Sequence, residues 1–200
     1  MSTLLKINAS LFSANGQSSQ LTERFVAAWQ ASHPGTQVIE RDLAANPVPH
    51  MDGARFMAFL AKPEERSAEQ QAVVDFSDAL IAELRAADAI VIGLPMYNFG
   101  IPSQLKAYFD HIARAGVSFR YTANGPEGLI TGKKAYILAA RGGIYAGTPK
   151  DSQTTYVRDF LGFIGITDVE FVYAEGLNMG DESKTAALAK AHQSLATLTA

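Results

Sequence analysis

The sequence predicts an α/β fold: a five-stranded parallel sheet with helices packed on both faces. Three observations lead there. Short apolar runs bounded by turn residues alternate with longer stretches whose apolar residues fall at helical spacing. One run, Ala89-Ile90-Val91-Ile92-Gly93-Leu94, is apolar without interruption and stops at Pro95, the pattern of a strand buried on both faces. The 200 residues, 48% hydrophobic and 18% charged, suffice for one domain over 1–200 with a substantial core, and no internal repeat or linker divides them.

Each element can be justified in turn. Thr3-Leu4-Leu5-Lys6-Ile7 reads as the first strand, followed by a polar loop from Asn8 to Ser19. Leu21, Phe25, Ala28 and Trp29 then share one helical face, and His33-Pro34-Gly35 ends that helix. Thr36 to Arg41 is a less apolar strand, suited to a sheet edge. Within 51–66, Phe56, Phe59 and Leu60 suggest a short helix broken at Pro63. Ser67 with Gln70 is a capping box, opening a helix with a stripe at Val73, Phe76, Leu80 and Leu84.

Past the central strand comes a loop rich in rings, Met96-Tyr97-Asn98-Phe99-Gly100. A helix is expected from Ser103 to Ala115, carrying Leu105, Tyr108, Phe109 and Ile112 on one face. Val117, Phe119 and Tyr121 alternate with polar residues ahead of Asn124-Gly125-Pro126, which predicts an extended excursion with a turn. Lys134 to Ala140 is another buried strand. Tyr156, Phe160 and Phe163 mark a helix stopped by Gly165; Asp168 to Ala174 is the last strand, and Ala186 to Leu198 the last helix.

Composition removes several classes of function. The net charge is −3 and no basic run is present, which argues against a nucleic-acid partner or an anionic membrane surface. No segment is apolar for the length of a membrane span, and the N-terminal stretch lacks a signal-peptide pattern, so a cytoplasmic protein is expected. Without cysteine there is no disulfide framework or thiolate nucleophile. His33, His50, His111 and His192 have no metal-ligand spacing, and no metal is expected. P-loop, dinucleotide-binding and nucleophile-elbow motifs are all missing. Asp42, after the second strand, therefore reads as a solvated loop carboxylate.

What remains is three unusual loops, each after a strand and so at one end of a parallel sheet, where ligands bind. The first runs from Ser10 into Gly16-Gln17-Ser18-Ser19. Hydroxyls and free amides at a helix N-terminus suit an anion, although on this loop alone Ser18 or Ser19 reads as an ordinary helix cap. The second, Met96 to Gly100, offers apolar rings beside an amide, as a flat heteroaromatic ligand requires. The third, Arg141-Gly142-Gly143-Ile144-Tyr145-Ala146-Gly147, lets backbone approach a ligand closely, with N–H groups free to face an electron-rich ring edge. With no protein-borne acid, base or nucleophile set, a cofactor would carry the chemistry.

At the level of motifs the chain resembles the FMN-dependent NADH:azoreductase family, among the flavodoxin-like NAD(P)H:quinone oxidoreductases. The residues that carry the resemblance are Pro95-Met96-Tyr97-Asn98-Phe99, Gln104-Leu105-Lys106, Ala113-Arg114-Ala115-Gly116, Ser118 to Thr122, Asn124 to Leu129, Gly132-Lys133-Lys134, Arg141-Gly142-Gly143 and Phe160 to Ile166. The resemblance implies a flavodoxin-like three-layer sandwich with strand order 2-1-3-4-5, assembled as a homodimer. It implies tightly bound FMN, with its phosphate on Ser10, Gly16, Gln17 and Ser18. Met96, Tyr97, Asn98 and Phe99 would pack on the ring, and Ala140, Arg141, Gly142 and Gly143 would line its pyrimidine edge. Phe59, Phe119, Tyr121 and Tyr145 would wall the pocket of a quinone or azo compound, Phe119 and Tyr121 reaching across to the partner subunit, with NADH as the donor and a ping-pong hydride transfer through flavin N5. Ala140 and Tyr145 stand where family members often carry Ser and His. Two rival readings are an electron-transfer flavoprotein without small-molecule turnover and a non-catalytic module on the same fold.

Overall fold

In the computed structural model, which describes residues 2–199, the predicted alternation is present. The chain forms β1 (Thr3–Asn8), α1 (Gln17–Ser32), β2 (Gln37–Asp42), α2 (Gly53–Leu60), α3 (Ala68–Ala86), β3 (Ala89–Pro95), α4 (Ser103–Ile112), β4 (Phe119–Thr122), β5 (Gly125–Gly128), β6 (Lys134–Ala140), α5 (Ser152–Ile164), β7 (Asp168–Ala174) and α6 (Asp181–Leu198). Five strands make one sheet in the order β2-β1-β3-β6-β7, every neighbouring pair parallel. With the separate antiparallel hairpin β4–β5 set aside, this is the order 2-1-3-4-5.

Period-two alternation divides the central strands between two cores. Ile90, Ile92 and Leu94 of β3 and Ile137 of β6 face Leu80, Ile81, Leu105, Phe109 and Leu161 on α3, α4 and α5. Ala89, Val91 and Leu138 face the other way, onto Leu21, Phe25, Ala191 and Leu195 of α1 and α6. That is why β3 reads as a continuous apolar run: all seven of its residues are buried. Edge strand β2 is only half-buried. Gly93 seats α1 against the sheet, since a Cβ there would lie 3.1 Å from the Ser18 carbonyl oxygen.

Three expectations shift. The inward face of α3 carries Val74, Ser77, Leu80, Ile81 and Leu84 rather than Val73 and Phe76. The hydroxyl of Ser77 can be buried because it donates to the His111 carbonyl at 2.5 Å. Helix α4 ends at Ile112, short of Ala115, because Ser118 folds back beneath it: its hydroxyl donates to the Ile112 carbonyl at 2.5 Å and accepts from Arg114 N–H at 2.8 Å. Helix α6 starts earlier than its apolar stripe suggests, with Asp181 and Glu182 in its first turn complementing the helix dipole. Among the described residues, no helix is long and apolar enough to cross a membrane.

Candidate active site

The three unusual loops meet at the carboxyl ends of β1, β3 and β6. In the first, Gly16 rather than Ser18 or Ser19 takes the N-cap position of α1, and no side chain caps the helix. Both serines sit inside the first turn, buried, with hydroxyls that meet no partner among the described residues. A buried, unpaired hydroxyl is costly unless something else satisfies it, so the capping reading gives way. Gly16 itself is pressed against Ser10, whose Oγ would lie 2.0 Å from a Cβ added there. Lys6, the cation that precedes this loop, is already engaged: its buried amine pairs with Glu23 and, at 2.8 Å, with Glu40.

The second loop is a tight turn. Tyr97 and Gly100 exchange backbone hydrogen bonds of 3.1 and 3.0 Å, and Asn98 and Phe99 between them have φ of 50° and 63°. Two consecutive left-handed residues are the signature of a type I′ turn, which Asn accepts readily and Phe does not. Such strain persists only where the surroundings impose it, and it clusters at functional sites. Here Ser152 donates to the Phe99 carbonyl, and the buried Gln153 amide donates to Pro95 O at 2.8 Å and Gly100 O at 3.0 Å. The Tyr97 hydroxyl ties this turn to the first loop, accepting from Leu11 N–H at 3.2 Å and lying 3.4 Å from Ser10 Oγ.

In the third loop the Arg141 side chain turns inward. Its guanidinium is fully buried, bonded to Asp151 at 2.8 Å, Glu175 at 3.0 Å and Gln153 at 3.1 Å, and lies 5.0 Å from the Tyr173 ring centre. Its backbone N–H and carbonyl are taken by Ala174 and Leu177. Arg141 therefore braces the loop, and what the loop presents is Gly142 and Gly143, whose N–H groups donate to no acceptor among the described residues. Glu175 also accepts the N–H groups of Tyr145 and Ala146, both at 2.9 Å. Pairing with Arg141 and the Thr154 hydroxyl outweighs burial and holds the Asp151 carboxyl below its ordinary range.

Between the second and third loops is a cavity of about 410 Å³ lined by Met96, Asn98, Phe99, Gly142, Gly143, Tyr145 and Asn178. Tyr145 stands edge-on to Phe99, with ring centres 5.7 Å apart. Asn178 and Gln153 were not singled out in the sequence. Asn178 lies after the fifth strand of the sheet, so the carboxyl-end rule applied to that loop would have found it; Gln153 carried no comparable signal.

Phe59, Phe119 and Tyr121 are not at this crevice. Helices α4 and α5 begin beside Phe99 and run to the opposite end of the sheet. There Phe119 packs on Phe163 with ring centres 4.2 Å apart, and Tyr121, largely exposed, stands edge-on to Phe119. Phe59 lies under Arg114, 5.0 Å from its guanidinium carbon. Within one chain, the structure does not bring these three residues to the crevice.

A doubly wound sheet ordered 2-1-3-4-5, with its open crevice at the carboxyl ends of β1, β3 and β6, defines a flavodoxin-like protein. The chain belongs to that family: the profile of the Flavodoxin-like fold family matches residues 2–198. It is 59% identical over 190 residues to the FMN-dependent NADH:quinone oxidoreductase of Cellvibrio japonicus, covering 95% of this chain and 96% of the relative. It is also 59% identical over 196 residues to FMN-dependent NADH:quinone oxidoreductase 6 of Burkholderia lata, covering 98% and 99%. Among solved structures, an azoreductase from Bacillus anthracis str. Sterne superposes with a TM-score of 0.91 at 30% identity, covering 100% of this chain and 99% of the other. An FMN-dependent NADH-azoreductase from Bacillus anthracis str. Ames Ancestor, in complex with FMN, superposes with a TM-score of 0.88 at 26% identity over 100% of both chains.

Proposed function

We propose that this chain is an FMN-dependent oxidoreductase that takes electrons from NADH and reduces quinones and the azo bond of aromatic azo compounds by a ping-pong route. The observation that carries this reading is the convergence of unpaired donors: the buried Ser18 hydroxyl, the uncapped first turn of α1 and the N–H groups of Gly142 and Gly143. These fit FMN as a group with a phosphate at one end and a flat heterocycle at the other. Neutral donors at a helix N-terminus suit one phosphate monoester.

In this reading Ser10, Gly16, Gln17 and Ser18 hold the phosphate. Met96, Tyr97, Asn98 and Phe99 wall the ring, and Ala140, Gly142 and Gly143 border its pyrimidine edge, with Arg141 bracing that border from behind. When bound, FMN accepts and returns a hydride at its N5. The chain's part is to hold the ring, stack a planar partner against Phe99 with Tyr145 at its edge, and place amide donors where negative charge grows on reduction. Phe119, Tyr121 and Phe59 reach a substrate only from a second subunit, so a homodimer belongs to the proposal.

The test is direct. Purified protein should show a flavin spectrum and oxidise NADH with menadione and with methyl red, giving parallel double-reciprocal lines. A colourless preparation that takes up no added FMN would refute the reading. Bound flavin without turnover would return the chain to the electron-carrier reading.

A further inference from the structure

Phe99 borders a second cavity, larger than the first. It measures about 520 Å³, and Phe99, Ile101 and Tyr156 give it a mainly apolar lining, with His50, Ser103, Lys106 and Ser152 as its polar members. A ring stacked on Phe99 could extend a substituent into this space. The substituent's chemistry follows from the ionisable groups on the lining. Burial, reinforced by the charge of the nearby Asp110 carboxylate, pushes the Tyr156 phenol upward, so it stays neutral. Among the described residues no carboxylate lines the cavity, the nearest being Asp110, the partner of Lys106, which leaves His50 and the Lys106 ammonium on the lining.

Lys106 is paired with Asp110 one turn along α4, at 2.5 Å, with both side chains substantially exposed. Exposed pairs at this spacing are weak and screened by salt, so the ammonium can exchange Asp110 for an anion held in the cavity. The lining thus combines an aromatic wall, an apolar floor and one exchangeable cation. We propose that the cavity is a subsite for an anionic group carried on an aromatic substrate whose ring lies against Phe99, with Lys106 as the residue that sets the preference. This rests on the function proposed above. Two sources share the chemistry: a sulfonate or carboxylate on the electron acceptor, and the pyrophosphate of the dinucleotide donor.

The test compares matched substrates in Lys106→Met and Asp110→Asn. For the acceptor, the pair is a sulfonated naphthoquinone against menadione. For the donor, it is NADH against dihydronicotinamide riboside, which lacks the pyrophosphate. With Lys106→Met, the ratio of kcat/KM for the anionic member to that for its neutral partner should fall about two- to fivefold, the range of an exposed charge pair. With Asp110→Asn, which frees the ammonium, the same ratio should rise. A change confined to the acceptor pair or to the donor pair supports the subsite and names its source. Ratios unmoved in both pairs, or a parallel loss on charged and neutral substrates alike, overturn it. If the wild-type protein turns over neither acceptor, the proposed function has failed on its own terms. The subsite is then decided by calorimetric affinity for the sulfonated naphthoquinone without NADH: weaker binding in Lys106→Met supports it, and equal binding overturns it.

Discussion

Gln153 accepts a hydrogen bond from the Nε of Arg141 at 3.1 Å, in a position where neither side chain reaches solvent. Its own amide hydrogens go to Pro95 O and Gly100 O. One carboxamide therefore links the loop after β3 to the loop after β6, and the guanidinium beyond it extends the link to Asp151 and Glu175. This chain of bonds, with the Met96 N–H to Ala140 O bond beside it, ties the Phe99 wall of the crevice to the Gly142 wall.

Gln153→Glu tests that junction with almost no change of shape. The carboxylate still pairs with Arg141, but it cannot donate, so the buried Pro95 carbonyl loses its side-chain donor and Gly100 O is left with the Tyr97 N–H. An unsatisfied group costs about 1–3 kcal/mol. A lowered thermal midpoint together with faster FMN release is expected. A variant that melts and retains FMN like the wild type would show that the loops keep their spacing without Gln153.

Ser18→Ala separates cofactor binding from folding. The hydroxyl has no protein partner, so removing it takes nothing from the bare fold and relieves a buried polar group. If it holds the phosphate, FMN affinity should drop by on the order of 1–2 kcal/mol, the scale of a charge-assisted bond. The expected pattern is an FMN-free melting temperature equal to or above wild type, with a dissociation constant raised roughly tenfold. A weakened fold with unchanged FMN affinity would move the phosphate elsewhere.

Gly142→Val should block loading of the crevice. A Cβ at 142 would meet Asn178 Nδ2 at 2.6 Å, so the side chain drives Asn178 out of the cavity they both line. Adding Asn178→Ala should recover part of the lost FMN occupancy, because it removes the atom that is struck. Additive losses in the double variant would mean that the valine obstructs the ligand itself rather than acting through Asn178.

The fold was legible because β3 and β6 are buried on both faces and leave uninterrupted apolar runs, and because Ser67 with Gln70 and Gly165 punctuate helices by local chemistry. The α3 stripe was misplaced since Val73 and Phe76 are shared with neighbouring elements: Val73 borders a cleft with α2, and Phe76 stands edge-on to His111. The three loops could be read as a site from their place at strand ends. Gln153 could not, because a glutamine in a helix looks like a surface residue until tertiary neighbours bury it. Ser18 was visible, but its position within the helix turn was not, and that position separates a cap from a free donor.

His111 gives a dependence on pH whose sign can be worked out. The ring is buried between Phe59 and Phe76, edge-on to both, with centroids 6.2 and 5.7 Å away. Its Nδ1 lies 3.0 Å from the Ala107 carbonyl, and its Nε2 has no partner. Burial, reinforced by the charge of Arg55, lowers its pKa from the usual 6.5, against the opposing pulls of the Ala107 bond, Asp110 and Asp52. In the unfolded chain the same imidazole titrates near its ordinary value of about 6.5. Between the lowered folded value and that one, the unfolded state holds a proton the native state does not, so stability rises with pH across the window. The contribution is whole above about 6.5 and is lost as the pH falls below it. Denaturant unfolding of wild type and His111→Gln, followed from neutral pH downward, should show a shallower acid decline in the variant. Glutamine keeps a donor for the Ala107 carbonyl but takes up no proton, so parallel acid limbs would mean that His111 is protonated as easily in the fold as outside it.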